Sequence, residues 1–162
     1  MKFHRSMLFV VLMALSTVAF AQSDAQKSFD RLKTLAGSWE GTFEGSPVHI
    51  SLRVTSSGNA ILHEMNGDRP EDTITVFYLD GDRLLLTHYC HAGNRPRMAG
   101  MISPDGKTIT FNFLDVSGNT QQGEMQNAVF NLTDADHHTE TWSFTMPDGK
   151  QMAGVLDLKR TK

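Results

Sequence analysis

Apolar positions along this chain follow two different periods, and the change falls at Leu35-Ala36-Gly37-Ser38-Trp39. Before it, Phe29, Leu32, Leu35 and Ala36 share one stripe at helical spacing, which predicts a helix over residues 23–36. Ser23 and Gln26 have capping-box spacing, Arg31 and Lys33 lie where cations suit the helix dipole, and Gly37 can take the left-handed cap. After it, short alternating runs predict strands near 39–44, 47–55, 58–66, 73–79, 83–90, 96–102, 108–114, 124–132, 137–146 and 150–159. Turns separate them. Asp80-Gly81-Asp82 reads as a hairpin, and Pro104-Asp105-Gly106-Lys107 recurs as Pro147-Asp148-Gly149-Lys150, with proline presetting one φ and glycine supplying a positive one.

Ten strands joined mostly by tight turns predict an antiparallel up-and-down β-barrel, because a single open sheet that long would curl and closure removes both edges. The helix has one narrow apolar face and suits an open barrel end. A two-sheet sandwich is the alternative, although it needs longer crossovers. The least repetitive connection, Asp115 to Gly123, reads as a flexible loop or a lid. Strand facing stays open along 83–90, where Leu84, Leu86, His88 and Cys90 share one face and Leu85, Thr87 and Tyr89 the other. A two-residue loop at Asp80-Gly81 sets Phe77 opposite Leu84, whereas a three-residue loop sets Tyr78 there.

The first 21 residues change the picture of where the chain works. Lys2, His4 and Arg5 precede an apolar run from Met7 to Leu15, and Ala19-Phe20-Ala21 offers a small-x-small cleavage site. This is the layout of a secretory signal peptide, too short in its apolar part to anchor in a membrane. The expected mature chain is one domain over residues 22–162, periplasmic or secreted. Its formal net charge is −5, with 13 basic against 18 acidic residues. No basic cluster favours nucleic acid or an anionic membrane. Cys90 is the single cysteine, so no disulfide forms within the chain.

Candidate chemistry gathers around Thr87-His88-Tyr89-Cys90 and the following strand. An imidazole beside a thiol can lower its pKa, which makes a Cys90–His88 pair a candidate nucleophile, although a buried inert Cys90 is the plainer reading. Arg97 either points inward to hold a carboxylate or phosphate, or sits outside paired with Glu64 or Asp72. His63 can reach the interior and pair with His88. His137 and His138, after Asp134 and Asp136, read as a solvated turn, since neighbouring strand residues face opposite ways and do not serve one metal ion. His49 reads as a surface residue. Methionines at 65, 98, 101, 125, 146 and 152 suit a core or a cavity for greasy ligands. No HExxH, P-loop, GxSxG or CxxC pattern occurs, which leaves the enzyme classes they mark without support.

Gly37-Ser38-Trp39 after a short helix resembles the calycin pattern shared by lipocalins and their relatives. That resemblance implies that Trp39 packs at the closed end against a basic residue of the last strand, here Arg160. More specifically, Gly37-Ser38-Trp39-Glu40-Gly41, Thr87-His88-Tyr89-Cys90 and Gly93-Asn94-Arg95-Pro96-Arg97-Met98 resemble a family of uncharacterised exported bacterial proteins with a lipocalin-like barrel. The similarity extends distantly to fatty-acid-binding-like barrels and to nitrobindins, which open with Gly-x-Trp-x-Gly and bind haem through a histidine. No particular histidine here matches the nitrobindin haem-ligand motif. Three readings follow: a barrel holding a small apolar or amphipathic ligand near His63, His88, Cys90 and Arg97; a haem or metal protein using His88 or His63; and an enzyme using Cys90 and His88.

Overall fold

A computed structural model describes residues 22–67 and 72–161; the expected leader over 1–21 lies outside the described residues. Helix α1 (Asp24–Lys33) is followed by ten strands: β1 (Gly37–Phe43), β2 (Ser46–Thr55), β3 (Ala60–Gly67), β4 (Thr73–Asp80), β5 (Arg83–Tyr89), β6 (Asn94–Ile102), β7 (Thr108–Gly118), β8 (Glu124–Leu132), β9 (His137–Thr145) and β10 (Gln151–Arg160). All ladders are antiparallel and each strand pairs with its sequence neighbours. β1 pairs with β10, with Trp39 opposite Arg160, and so closes the barrel. The expected all-β up-and-down barrel is the fold observed.

Local chemistry sets the boundaries. Ser23 caps α1 by accepting the Gln26 amide at 3.1 Å. The helix stops at Lys33, earlier than its apolar stripe suggests, and Leu35 and Ala36 turn the chain toward β1. Gly37 is therefore the first residue of β1 rather than a helix cap. Its φ of +139° suits glycine, and a Cβ there would strike the Arg160 guanidinium. At the β4–β5 hairpin the turn is Gly81-Asp82, with Asp80 opposite Arg83, so neither expected frame is the one observed. Leu79 faces Leu84 and Phe77 faces Leu86. β7 runs four residues beyond its expected end because Asp115 pairs with Arg97 and Gly118 with Asn94. The loop after it shrinks to residues 119–123, and Asn94 holds it by donating to the carbonyls of Asn119 and Gly123 at 3.0 and 2.7 Å.

The barrel is filled unevenly. Near the helix, Phe29, Leu32 and Leu35 meet inward residues of the strands, and all are buried. Phe77, Phe111 and Phe130 form a tilted and edge-on cluster at 5.4 to 5.9 Å across the barrel's middle. Gly100 leaves room for it, since a Cβ there would meet the Phe111 ring. Leu85 faces the other side of β5 and is also buried.

Trp39 plugs the helix end. Its Nε1 donates to the Leu35 carbonyl at 2.8 Å, and the Arg160 guanidinium stacks 4.2 Å from its ring centre. Arg160 donates to the carbonyls of Ala135, Ala36 and Thr34 at 2.8, 2.8 and 3.1 Å. One side chain thus ties the helix exit, the β8–β9 turn and the closing strand. Arg160→Ala should lower the unfolding free energy by about 2 kcal/mol in urea titrations, and Arg160→Lys should recover little, because an ammonium lacks the planar fork.

Candidate functional site

The half of the barrel away from the helix encloses a cavity of about 670 Å³. It opens among the β1–β2, β5–β6, β7–β8 and β9–β10 turns, lined there by Glu44, Cys90 to Ala92, Gln121, Gln122 and Met146. The walls are predominantly apolar, with Phe43, Val48, Met65, Met125, Phe144 and Leu156 on inward positions. That volume lies within the range of small-molecule sites, about 300–1,000 Å³.

Three strands supply a polar row to its floor. His63 on β3 is opposite Thr75 on β4, and Thr75 is opposite His88 on β5, so all three project inward together. His63 is 2% exposed and His88 3%. Trp142 on β9 touches both rings, at 6.1 Å from His63 and 5.3 Å from His88. Below them lies Glu140, fully buried. Its carboxylate accepts from His63 Nε2 at 3.1 and 3.2 Å, from His138 Nε2 at 3.1 Å and from Trp142 Nε1 at 3.0 Å. Burial alone would push Glu140 up, but the charge of His63 and the hydrogen bonds from His138 and His63 outweigh it and hold the carboxyl well below its usual range. His138 in turn packs edge-on against Trp39 at 4.2 Å. A continuous chain of contacts therefore runs from Arg160 and the plug to the cavity floor.

His88 differs from its neighbours. Its Nδ1 lies 2.8 Å from Thr75 Oγ1, and its Nε2 has no partner among the described residues. Burial, reinforced by His63 and His91, pushes its pKa down to about 3, so the ring is neutral at physiological pH. A neutral imidazole presents one N–H and one lone pair, and Thr75 can take either role. Nε2 is thus a single open hydrogen-bonding position.

Other expected residues fall elsewhere. Arg97 stands on the outer wall, where it grips Asp115 through two parallel hydrogen bonds, Nε to Oδ1 and Nη2 to Oδ2. Its inward reading is thus corrected, and so are Glu64 and Asp72 as its partners. The reason lies in β6, where Asn94, Pro96 and Met98 take the buried positions and leave Arg95 and Arg97 outside. Cys90 lines the cavity mouth just beyond β5, and burial pushes its thiol up, away from the thiolate. No hydrogen bond joins it to His88, whose Nδ1 is engaged by Thr75. The reading of His138 as part of a solvated turn is also corrected, because it is fully buried on β9 while His137 faces outward to Asp157 at 2.7 Å. His138, Glu140 and Trp142 escaped the sequence reading as site residues. Their i, i+2, i+4 spacing on one strand, ending on a tryptophan, is the signal that places all three inside.

No protein-family model and no curated protein matches this sequence. Solved structures do. The crystal structure of Rv2717c from M. tuberculosis superposes with a TM-score of 0.61 at 12% identity, covering 83% of this chain and 98% of that one. A protein of unknown function from the DUF3598 family of Nostoc punctiforme superposes with a TM-score of 0.56 at 12% identity over 80% of this chain. This chain covers 48% of that second protein's length. At such identities the likeness shows the fold alone, a ten-stranded antiparallel barrel.

The floor makes stability depend on acid in a defined direction. The folded state keeps His88 neutral down to about pH 3, whereas an unfolded histidine takes up a proton near 6.5. The unfolded chain thus binds more protons, and His88's contribution, present above pH 6.5, is lost as pH falls toward 3, at up to about 1.4 kcal/mol per pH unit. Glu140, depressed from its ordinary 4.5, adds a further loss below that value. Urea titrations between pH 8 and pH 4 should show stability falling from about pH 6.5 downward, and His88→Gln should flatten the part above pH 4.5.

Proposed function

We propose that this chain is an exported container for a small apolar or amphipathic ligand, held in the open half of the barrel with its polar end toward His88. The observation that carries this reading is the asymmetry of the interior. One half is filled by aromatic and aliphatic side chains, and the other leaves about 670 Å³ walled by methionine, phenylalanine and tryptophan. Methionine adapts to irregular ligand shapes, and a few fixed polar groups on an apolar wall are what a small-molecule site needs for orientation. Export rests on the leader-like layout of residues 1–21. Among the described residues no helix is long and apolar enough to cross a membrane. The calycin-like resemblance of the Gly37-Ser38-Trp39 start is in keeping with a ligand-holding barrel.

One observation favours a second reading, haem held through His88. Its Nε2 is without a partner among the described residues while Thr75 fixes its Nδ1, the arrangement a histidine that would hold the iron needs. With Nδ1–H donating to Thr75, Nε2 would offer its lone pair. A bound haem would supply electron-transfer or gas-binding chemistry that these side chains lack. A protein-held metal ion has less support, since no group of three His, Cys, Asp or Glu among the described residues could hold one.

Nile red, an uncharged dye that brightens in apolar surroundings, tests the container reading. Purified protein should bind it saturably with a blue-shifted emission. Val48→Trp, which fills the wall of the cavity from β2, should weaken binding by at least about tenfold while the chain stays folded. A dye that stays free would sink the reading. Addition of haem decides the second: a Soret band that shifts in His88→Gln supports it, and no band removes it.

A further inference from the structure

The cavity has an unusual charge pattern for a site that takes amphiphiles. Among the described residues no lysine or arginine lines it. Arg97, which the sequence offered as a ligand contact, is outside and committed to Asp115. Beneath the floor lies a buried carboxylate, Glu140, whose oxygens already accept from His63, His138 and Trp142. An anionic ligand group brought to this floor would lose its water and meet Glu140's field, and the cation beside it, His63, is already paired with that carboxylate at 3.1 Å. A cationic group would fare little better, because His63 and Trp142 stand between it and the carboxylate and occupy its lone pairs.

Two ring nitrogens of cavity-lining histidines are without a partner among the described residues, His63 Nδ1 and His88 Nε2, and of the two rings only that of His88, 3% exposed, is free of the buried carboxylate. Thr75 holds the ring through Nδ1 without dictating the tautomer, because a hydroxyl can donate or accept. The open nitrogen is therefore either a donor or an acceptor. A hydroxyl satisfies both states with a single uncharged atom, and an unsatisfied buried nitrogen gains from such a partner.

We infer that the ligand group recognised at the floor is an uncharged hydroxyl hydrogen-bonded to His88 Nε2, so that the barrel recognises neutral amphiphiles by their polar end and leaves carboxylate or ammonium ends at the mouth. This rests on the container reading and specifies its ligand class. Decanol, decanoate and decylamine share one tail and differ in the end group, which makes them suitable probes in calorimetric titrations at pH 8.

In the wild-type protein decanol should bind, and His88→Phe should weaken it about five- to tenfold, the loss of one buried hydrogen bond. Decanoate and decylamine, bound tail-inward with the charge at the mouth, should change less than about twofold in the same variant. A decanoate or decylamine affinity that falls with His88 as decanol's does overturns the inference, and so does decanol that ignores the substitution. If His88→Phe does not fold, the imidazole ¹⁵N resonances of the wild-type protein give the same readout: decanol should move His88 Nε2, and decanoate should not. Movement on decanoate, or none on decanol, overturns the proposal. Nile red binding without decanol binding overturns this inference alone. Failure of both overturns the container reading beneath it.

Discussion

A carboxylate cut off from solvent stays ionised only where fixed donors replace the water it has lost, and at Glu140 two imidazoles and an indole do so. Much of the interior is arranged around that requirement. His63 must come from β3 and His138 and Trp142 from β9, so strands on opposite sides of the barrel are held at one depth. Trp142 then serves two surfaces at once, the carboxylate through its N–H and the cavity through its ring. His138 does the same toward the plug, since it bonds Glu140 and packs edge-on to Trp39. Removing the Glu140 side chain would leave three buried donors without their acceptor.

The polar layer also explains why the barrel has two unlike halves. On the helix side, Phe77, Phe111 and Phe130 meet ring to ring and α1 covers the end, so the packing is dense and apolar. On the other side the inward positions carry smaller or more adaptable residues such as Thr73, Thr75, Met65 and Met125, which do not reach the barrel axis together. His88 stands at the boundary. Its ring is buried like a core residue, yet it lines the cavity with its Nε2 unpartnered among the described residues and neither nitrogen on the buried carboxylate.

Much of the architecture was legible from local chemistry. The change of period at Gly37 and the repeated Pro-Asp-Gly turns mark helix, strands and meander, because these depend on residues close in sequence. The site was legible only in part. His63, His88 and Cys90 drew attention as reactive types on an apolar strand, and all three line the cavity. Arg97 did so too, but its facing follows from Met98 taking the inward position on β6, a choice that register decides. His138 and Glu140 look like surface residues because isolated charges belong in water. What makes them tolerable inside is His63, 77 residues away from Glu140 in sequence, a complement that no local window contains.

Nine of the ten strand ladders join neighbours in sequence, and only β1 with β10 spans the domain. The hairpins can therefore form in order as the chain emerges, but the cylinder exists only once the last strand arrives. Arg160, the last residue of β10, is opposite Trp39 in that closing ladder and reaches back to the carbonyls of Thr34 and Ala36. β10 is thus a completion signal. A chain without β10 would lose one of its ten strands and, with it, the seal that makes an inside at all.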